Sequence, residues 1–477
     1  MIGHHAPVAN FAGVVSTGIY CRPSCGAHPS SKNVYGFTLA ASAEAAGYRA
    51  CLKCRPYRSQ PPPSWEGPEV VCRAVRLILH GALDNTSELD LADRLSLSAR
   101  HLRRLFAEHL GVTPDQLARS TRAHFARRLI DDTDFTMVEI AFMSGFGSVR
   151  QFNRACVEIF RTSPRELRAR RRIKDRLAAD GGLILRLPFQ PPLDWDRMLN
   201  YCATYAIQGV EAVAGGTYRR TVVIDGDPGM LELAPGGSDH LLLRLHIPHW
   251  EGLIHIAQRA RHIFNLDADL PSANRHLAAD PLLKHLVSAL PGVRPPGTWD
   301  GFETGVLTIL GQRVSQAAMR TWSARIASEY GAPVAGLQAF GLKQTFPSPD
   351  TLAAADIGRL GVAPATAAAV KSFAEAVAAG TILLDGSQPL EELIPSLRRF
   401  AGVGPVAAHY IALRLGERDA FPISPGGLRH SLGRVANRPT SPDVASRQAD
   451  GWRPWRAYAA ALLRFGIAGE KPRARIA

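Results

Sequence analysis

Apolar residues recur at three- and four-residue spacing from Trp65 to about Arg172, with basic residues between them, which predicts a series of amphipathic helices. Two stretches share one plan. Residues 88–105, ELDLADRLSLSARHLRRL, read as helix, short turn, helix, with Ser98 placed to cap the second helix. Residues 136–160 repeat it, with Gly145 in the turn and Ser148 as the cap. Leu102, Leu105, Phe106, Phe152 and Phe160 fall on the apolar stripe and are assigned to the core. Alternation then replaces the helical period: residues 183–187, 218–224, 230–234 and 241–246 predict strands of an antiparallel sheet with one or two helices. Beyond about Leu253 the helical period returns in text rich in Ala, Leu and Arg and persists almost to the end.

Punctuation marks the joints. Gln60, Pro61, Pro62, Pro63 and Ser64 cannot continue a helix and predict a stiff spacer, and the basic run Arg168, Arg170, Arg171, Arg172 and Lys174 closes the first helical part. At 477 residues the chain is expected to hold several domains. Lys+Arg of 56 against Asp+Glu of 42 gives +14, which suits a polyanionic partner and puts nucleic acid first. Seven cysteines, with Cys72, Cys156 and Cys202 isolated, fit a metal site plus buried thiols in a reducing compartment. No apolar run is long enough for a membrane helix and the start lacks a signal pattern, so a cytoplasmic, nucleoid-associated location is expected and no membrane partner.

The remaining cysteines carry the chemistry. Cys21 and Cys25 in GIYCRPSC are spaced CxxxC, and after 25 residues Cys51 and Cys54 form CLKC. That spacing reads as one tetrathiolate zinc site, because Zn2+ takes four thiolates tetrahedrally and folds a segment with little core of its own. His4 and His5 are read as a tail, since four cysteines complete the coordination. GIYCRPSC with NVYGF, EAAGYRAC and LKCRP resembles the N-terminal zinc domain of the Ada family of DNA alkylation repair proteins, from about Asn10 to Tyr57. The resemblance implies that Cys21, the first cysteine of CRPSC, accepts a methyl group from a methylphosphotriester in DNA, so that zinc is both structural and catalytic. Arg22, Arg49 and Lys53, with Arg55 and Arg58, crowd the ligands, and some of them are expected to contact phosphates while others balance the anionic cluster from solvent. The chain opens with MIGHHAPVANF, later than family members do, which leaves the family's first helix and strand unaccounted for.

The paired helical hairpins, joined by a linking helix and ending in RTSPRELR, resemble the AraC family of transcription regulators over about residues 69–170. The resemblance puts each second helix in a major groove and makes Arg100, Arg103, Arg104 and Arg150, Gln151, Asn153, Arg154 the candidates for base or phosphate contact.

In LRRFAGVGPVAAHYIALRLG, Gly402 and Gly404 permit a tight turn whose amides can grip a DNA phosphate without reading sequence. With ILGQRVSQAAMRTWSARI, DAFP and WRPWRAYAAALL this resembles the helix-hairpin-helix base-excision glycosylases, nearest to the AlkA type, over about residues 183–468. Such enzymes evert a damaged base, here alkylated, and use an aspartate to stabilise the transition state. The resemblance places that acid after DAFP and two intervening residues, where this chain has Pro425. Asp419 belongs to DAFP itself and is a poor substitute. Ala401 replaces the family's hairpin proline, and Val406 and Ala407 replace a Trp-Thr pair whose tryptophan walls the base pocket. Trp452, Trp455 and Tyr458 are assigned to packing. No Pro-Cys-His-Arg centre occurs, so O6-methylguanine repair is not expected.

The expected architecture is multidomain and mainly α: a small zinc α+β domain at 1–62, an all-α double helix-turn-helix domain at 63–172, an antiparallel α+β sheet domain at 183–262 and an all-α helix-hairpin-helix glycosylase domain at 263–477. The expected function is DNA alkylation repair with transcription regulation, on double-stranded DNA with methylated phosphates and alkylated bases, RNA polymerase being a candidate partner. Two alternatives stand beside it: a working 3-methyladenine glycosylase, and a regulator alone whose zinc is structural.

Overall fold

The computed structural model describes residues 9–26, 33–58, 67–172, 176–177, 182–312, 314–424, 427–437, 439 and 441–468. The spacer at 60–64, His4, His5, Lys174 and Pro425 lie outside the described residues. The chain divides into two compact units, Met1–Gln190 with His249–Ala260, and Pro191–Pro248 with Arg261–Ala477. Among the described residues no helix is long and apolar enough to cross a membrane.

The first unit begins with a small sheet. Strand Phe11–Val14 pairs antiparallel with Ile19–Cys21 on one side and Val34–Phe37 on the other, and Arg49–Ala50 runs parallel to Ile19–Cys21. Gly13 is needed at the centre, because a Cβ there would come within 2.6 Å of the Phe37 ring. A short helix, Ala40–Ala45, packs beside the sheet.

The helical repeat is written in its caps. Helix Glu88–Arg94 opens with a Ser87–Asp90 capping box, and Met137–Met143 opens with a Thr136–Glu139 box. The following helices, Ala99–Leu110 and Val149–Phe160, are capped by Ser98 and Ser148 as the sequence predicts. Each turn contains one left-handed residue, Ser96 (φ 57°) in the first and Gly145 (φ 79°) in the second. Helix Pro114–Asp132 links the two hairpins. Leu102, Phe106 and Phe152 are fully buried and Phe160 nearly so, whereas Leu105 stands half-buried at the rim of the core.

In the second unit, Glu211–Ala214, Thr217–Ile224, Asp227–Pro235 and His240–His246 form an antiparallel meander. Its first two turns are Gly215-Gly216 and Asp225-Gly226, with positive φ at both central residues, the geometry that matches strand twist in a two-residue hairpin. Helix Trp195–Tyr205, capped by Asp194, completes this part. Helix Gly301–Leu310 is buried over most of its length and packs on Pro364–Ala378 and Pro405–Arg414. Phe302 and Phe373 stack with ring centroids 5.9 Å apart, and Gly305 leaves room for Phe373, whose ring a Cβ would meet at 2.3 Å. A buried ion pair, Arg220 Nη2 to Glu303 Oε2 at 2.7 Å, fastens the meander to that helix.

Candidate metal centre and nucleic-acid surfaces

The turn after Ile19–Cys21 and the turn after Arg49–Ala50 bring Cys21, Cys25, Cys51 and Cys54 together, with their Sγ atoms all within 4.8 Å of one another. Local backbone bonds shape both loops: the Cys25 amide donates to the Arg22 carbonyl at 2.9 Å and the Arg55 amide to the Cys51 carbonyl at 3.0 Å, with Arg55 in the left-handed region at φ 47°. Cys21, Cys25 and Cys51 are buried and Cys54 is half-buried. Burial, then the neighbouring thiols, pushes the Cys21 thiol far above the ordinary range. Burial likewise leads in lifting Cys54 to about 11, against the Arg22 amide that donates to its sulfur. At Cys51 burial also opposes ionisation, but the amides of Cys54 and Lys53 outweigh it and hold that thiol low. Cys21 and Cys54, so held, need a cation among the sulfurs to ionise at neutral pH, and the spacing of the four fits a Zn2+ whose tetrahedral sulfurs would sit roughly 3.8 Å apart.

The basic residues around the cysteines differ in placement. Arg22 folds back, donating from Nε to the Cys54 carbonyl at 3.1 Å and from Nη2 to the same oxygen, so it ties one cysteine loop to the other. Arg49 is half-buried, with Nη1 3.4 Å from the Ala50 carbonyl, and Lys53 is exposed. Arg55 and Arg58 face inward: Arg58 Nη2 lies 2.8 Å from Asp132 Oδ1 and 3.4 Å from Asp131 Oδ2, and Arg55 Nη1 lies 3.9 Å from Asp131.

Asp131 belongs to the linking helix Pro114–Asp132, whose residues His124, Arg127 and Asp131 share one buried face toward the cysteine module. Tyr57 donates to Asp131 Oδ2 at 2.9 Å, and Arg127 lies over the Tyr57 ring, 5.3 Å from its centroid. Tyr20, next to Cys21 in sequence, donates to Glu44 Oε1 at 2.7 Å, and His124 Nε2 lies 2.5 Å from the same oxygen. The contact extends to both second helices. Ser42 Oγ donates to the Leu110 carbonyl at 2.7 Å, at the end of Ala99–Leu110, and Tyr57 packs edge-on against Phe160, the last residue of Val149–Phe160.

On those helices Arg100, Arg103 and Arg104, and Arg150, Gln151, Asn153 and Arg154, are all exposed. Arg103 pairs with Glu88, and Arg154 Nε lies 2.8 Å from Glu158 one turn on. No ion pair involves Arg100 or Arg150 among the described residues.

In the second unit the hairpin follows helix Leu390–Leu397. Gly402 takes φ 81°, and Gly404 stands extended before Pro405, the first residue of Pro405–Arg414; both glycines are exposed. Val406 and Ala407 line a cavity, as their alignment with a pocket-wall pair implies. Asp419 points elsewhere, held by Arg456 through Nε at 2.8 Å and Nη2 at 2.9 Å and by Arg453. It is a structural clamp. Trp452, Trp455 and Tyr458 are buried, as expected of packing residues.

Three family descriptions match: "Metal binding domain of Ada" at 6–57, "Helix-turn-helix domain" at 91–170 and "AlkA N-terminal domain" at 184–300. A Mycobacterium tuberculosis protein described as a probable bifunctional transcriptional activator/DNA repair enzyme AlkA is 37% identical over 454 residues, 94% of this chain and 90% of the relative. The chain belongs to this bifunctional AlkA family. The C-terminal part of the chain also resembles DNA-3-methyladenine glycosylase 2 of Escherichia coli K12, 33% identical over 281 residues, 57% of this chain and 94% of that protein. Among solved structures, a 3-methyladenine DNA-glycosylase from Archaeoglobus fulgidus shares the fold at TM-score 0.53, 18% identity, over 60% of this chain and 98% of that one. The expected multidomain architecture, with zinc-binding, helix-turn-helix and glycosylase-like parts, is thereby shown. What sequence reading missed is the buried seam on His124, Arg127 and Asp131. Its signal in the sequence is the spacing of His124, Arg127 and Asp131, which puts three polar residues on one face of the linking helix.

Proposed function

We propose that Cys21 is the methyl acceptor of a methylphosphotriester repair reaction, and the observation that supports it is the closed cluster of four thiols with Cys21 buried inside it. With four thiolates a bound zinc ion forms a site of net charge 2 minus 4, or −2, and keeps sulfur ionised at neutral pH. Cys21 Sγ attacks the methyl carbon; the S–CH3 bond forms, the O–CH3 bond of the triester breaks, and a phosphodiester anion leaves. The substrate phosphate, neutralised by its methyl, tolerates an anionic site that ordinary phosphates avoid. Transfer turns Cys21 into a neutral thioether and halves the site's negative charge, so affinity for the DNA backbone rises.

The exposed faces of Ala99–Leu110 and Val149–Phe160 serve the same protein as major-groove readers, with Arg100, Arg103, Arg104, Arg150, Gln151, Asn153 and Arg154 as contacts and RNA polymerase as the partner of an activator at the nucleoid. Lys53 and Arg49 steer the phosphate, while Arg22 holds the cysteine loops in register. Gly402 and Gly404 grip backbone in the C-terminal half, where excision is weakened by the proline at 425. The deciding experiment incubates zinc-loaded protein with an oligonucleotide carrying one methylphosphotriester. One added methyl on the peptide containing Cys21, lost in Cys21→Ser, is the expected result; no added methyl with zinc bound would leave only the regulatory reading.

A further inference from the structure

Residues 249–260 lie by sequence within the sheet domain expected at 183–262, yet they pack in the first unit, among the helical hairpins. They carry Trp250, Gly252 and the opening of helix Leu253–Ile263, in which Leu253, Ile254, Ile256, Ala257 and Ala260 are buried. Three contacts follow the second hairpin. The Trp250 ring lies 6.1 Å from that of Phe135, just before helix Met137–Met143, and the Gly252 amide donates at 3.3 Å to the Phe142 carbonyl in the last turn of that helix. Ile254 crowds Gly145 in the turn beyond, where a Cβ would meet Ile254 Cγ2 at 3.5 Å.

The same segment reaches the approach to the first hairpin. His255 Nε2 hydrogen-bonds to Asp84 Oδ2, four residues before helix Glu88–Arg94, and its ring fills the space beside Gly81, where a Cβ would meet it at 2.6 Å. Asp84 is a junction. Its Oδ1 accepts from Arg122 of the linking helix, through Nε at 3.1 Å and Nη2 at 2.6 Å, and its Oδ2 would lie 3.0 Å from a Cβ on Gly145. Burial opposes ionising this carboxyl, but His255 and Arg122 outweigh it and hold its pKa below the ordinary range. One carboxylate thus gathers the loop before the first hairpin, the linking helix, the turn of the second hairpin and His255.

We propose that residues 249–260 are a brace that fixes the second hairpin against the first, and so set the spacing of the two duplex segments that helices Ala99–Leu110 and Val149–Phe160 meet. The inference rests on reading those helices as major-groove contacts. Two helices on one duplex must enter grooves a whole turn apart, roughly 34 Å, so a small rotation of one hairpin changes which spacing fits. The segment touches the second hairpin before, within and beyond helix Met137–Met143 while it holds Gly81 and Asp84 beside the first, which opposes pivoting of the second hairpin on the linking helix. Trp250, Ile254 and His255 are then positioning residues, acting on DNA only through the hairpins they hold. In chain order the brace falls between strand His240–His246 and helix Gly301–Leu310, so part of the hairpins' geometry is written in the C-terminal half.

The test uses the full zinc-loaded chain and duplexes that the parent protein selects from a random pool, rebuilt with one base pair added or removed between the two segments protected in hydroxyl-radical footprints. The parent is expected to bind the altered duplexes about tenfold more weakly, and the double variant Ile254→Ala/His255→Ala to narrow that difference to about threefold or less. His255→Gln, which keeps a donor toward Asp84, should retain the parent's preference. Unfolding curves identify any variant that fails to fold, and Trp250→Leu carries the same expectation through a separate contact. A spacing preference unchanged in the folded variants, or affinity lost equally at every spacing, overturns the proposal; the second result would make the segment a stabiliser only. A parent footprint with fewer than two protected segments would instead overturn the two-groove reading beneath it.

Discussion

Glu44 Oε1 and His124 Nε2 meet at 2.5 Å with side chains 6% and 0% exposed, joining the cysteine module to the helix between the two helix-turn-helix hairpins. A buried pair of this kind is costly to break from one side, because the survivor is left without its partner. Glu44→Ala is therefore expected to destabilise the first unit by about 3–5 kcal/mol in urea unfolding followed by a probe in that unit.

The same pair sets an acid limit. Burial alone would raise the Glu44 pKa, but His124 outweighs it and holds the carboxyl below its usual value of 4.5. A depressed folded pKa means stability that is complete above the unfolded value and is lost as pH falls through the folded one. Stability measured below about pH 4.5 should decline, and this part of the decline should vanish in Glu44→Ala.

Metal removal should act on the same module. Chelation at neutral pH leaves Cys21 and Cys54 to take up protons, since both are held above the ordinary thiol range, with Cys54 at about 11. Proton uptake in weakly buffered solution, with loss of protection of residues 9–58 in hydrogen exchange, is the expected outcome. Unchanged exchange in the chelated protein would show that the cysteine cluster folds without a metal.

On the second helices of the two hairpins, Arg150 has no ion-pair partner among the described residues, whereas Arg103 is already paired with Glu88. Arg150→Ala should lower the slope of log K against log salt by about 1, as loss of one phosphate contact does, and Arg103→Ala by less. Equal slopes for the two variants would mean that the Glu88 pair opens when DNA binds.

Much of this was legible in the primary structure, for identifiable reasons. Ser98 and Ser148 announce helix starts because a hydroxyl satisfies an end amide whatever the tertiary setting. The four cysteines reveal their site because metal geometry fixes their spacing. Arg55 and Arg58 were less readable: a basic residue beside an anionic cluster suits phosphate equally well, and only the fold shows Asp131 and Asp132 waiting beneath them. Arg22 was obscured in the same way, its fork closing on the Cys54 carbonyl rather than reaching outward. Strand Glu211–Ala214 escaped notice because it is short and nowhere fully buried.

The repeat contains one mismatch that can be tested by stability. Ala99–Leu110 ends on Gly111 at φ 68°, but Val149–Phe160 ends on Arg161 at φ 56°, where a side chain is strained. Arg161→Gly should stabilise the first unit by about 1 kcal/mol, less whatever the 3.4 Å bond from Arg161 to the Gly47 carbonyl contributes. Gly111→Ala should cost a similar amount.

In the C-terminal half, Asp419 is clamped by Arg456 and Arg453, so no acid of the DAFP segment is free to assist bond cleavage. Pro425→Asp is expected to raise base release from 3-methyladenine DNA by about 10²–10³, the range for one transition-state group. Release by the parent chain at the variant's level would show that cleavage proceeds without that acid.

Ser42 holds the end of one reading helix and Tyr57 leans on the end of the other, so a single small body touches the tail of both. On the function proposed above, the methyl-accepting sulfur of Cys21 therefore travels with the two helices as points on one ruler. A lesion can be met in register with both grooves only at certain rotational settings along the duplex, and the spacing between damaged phosphate and recognised sequence becomes a property of the protein's interior.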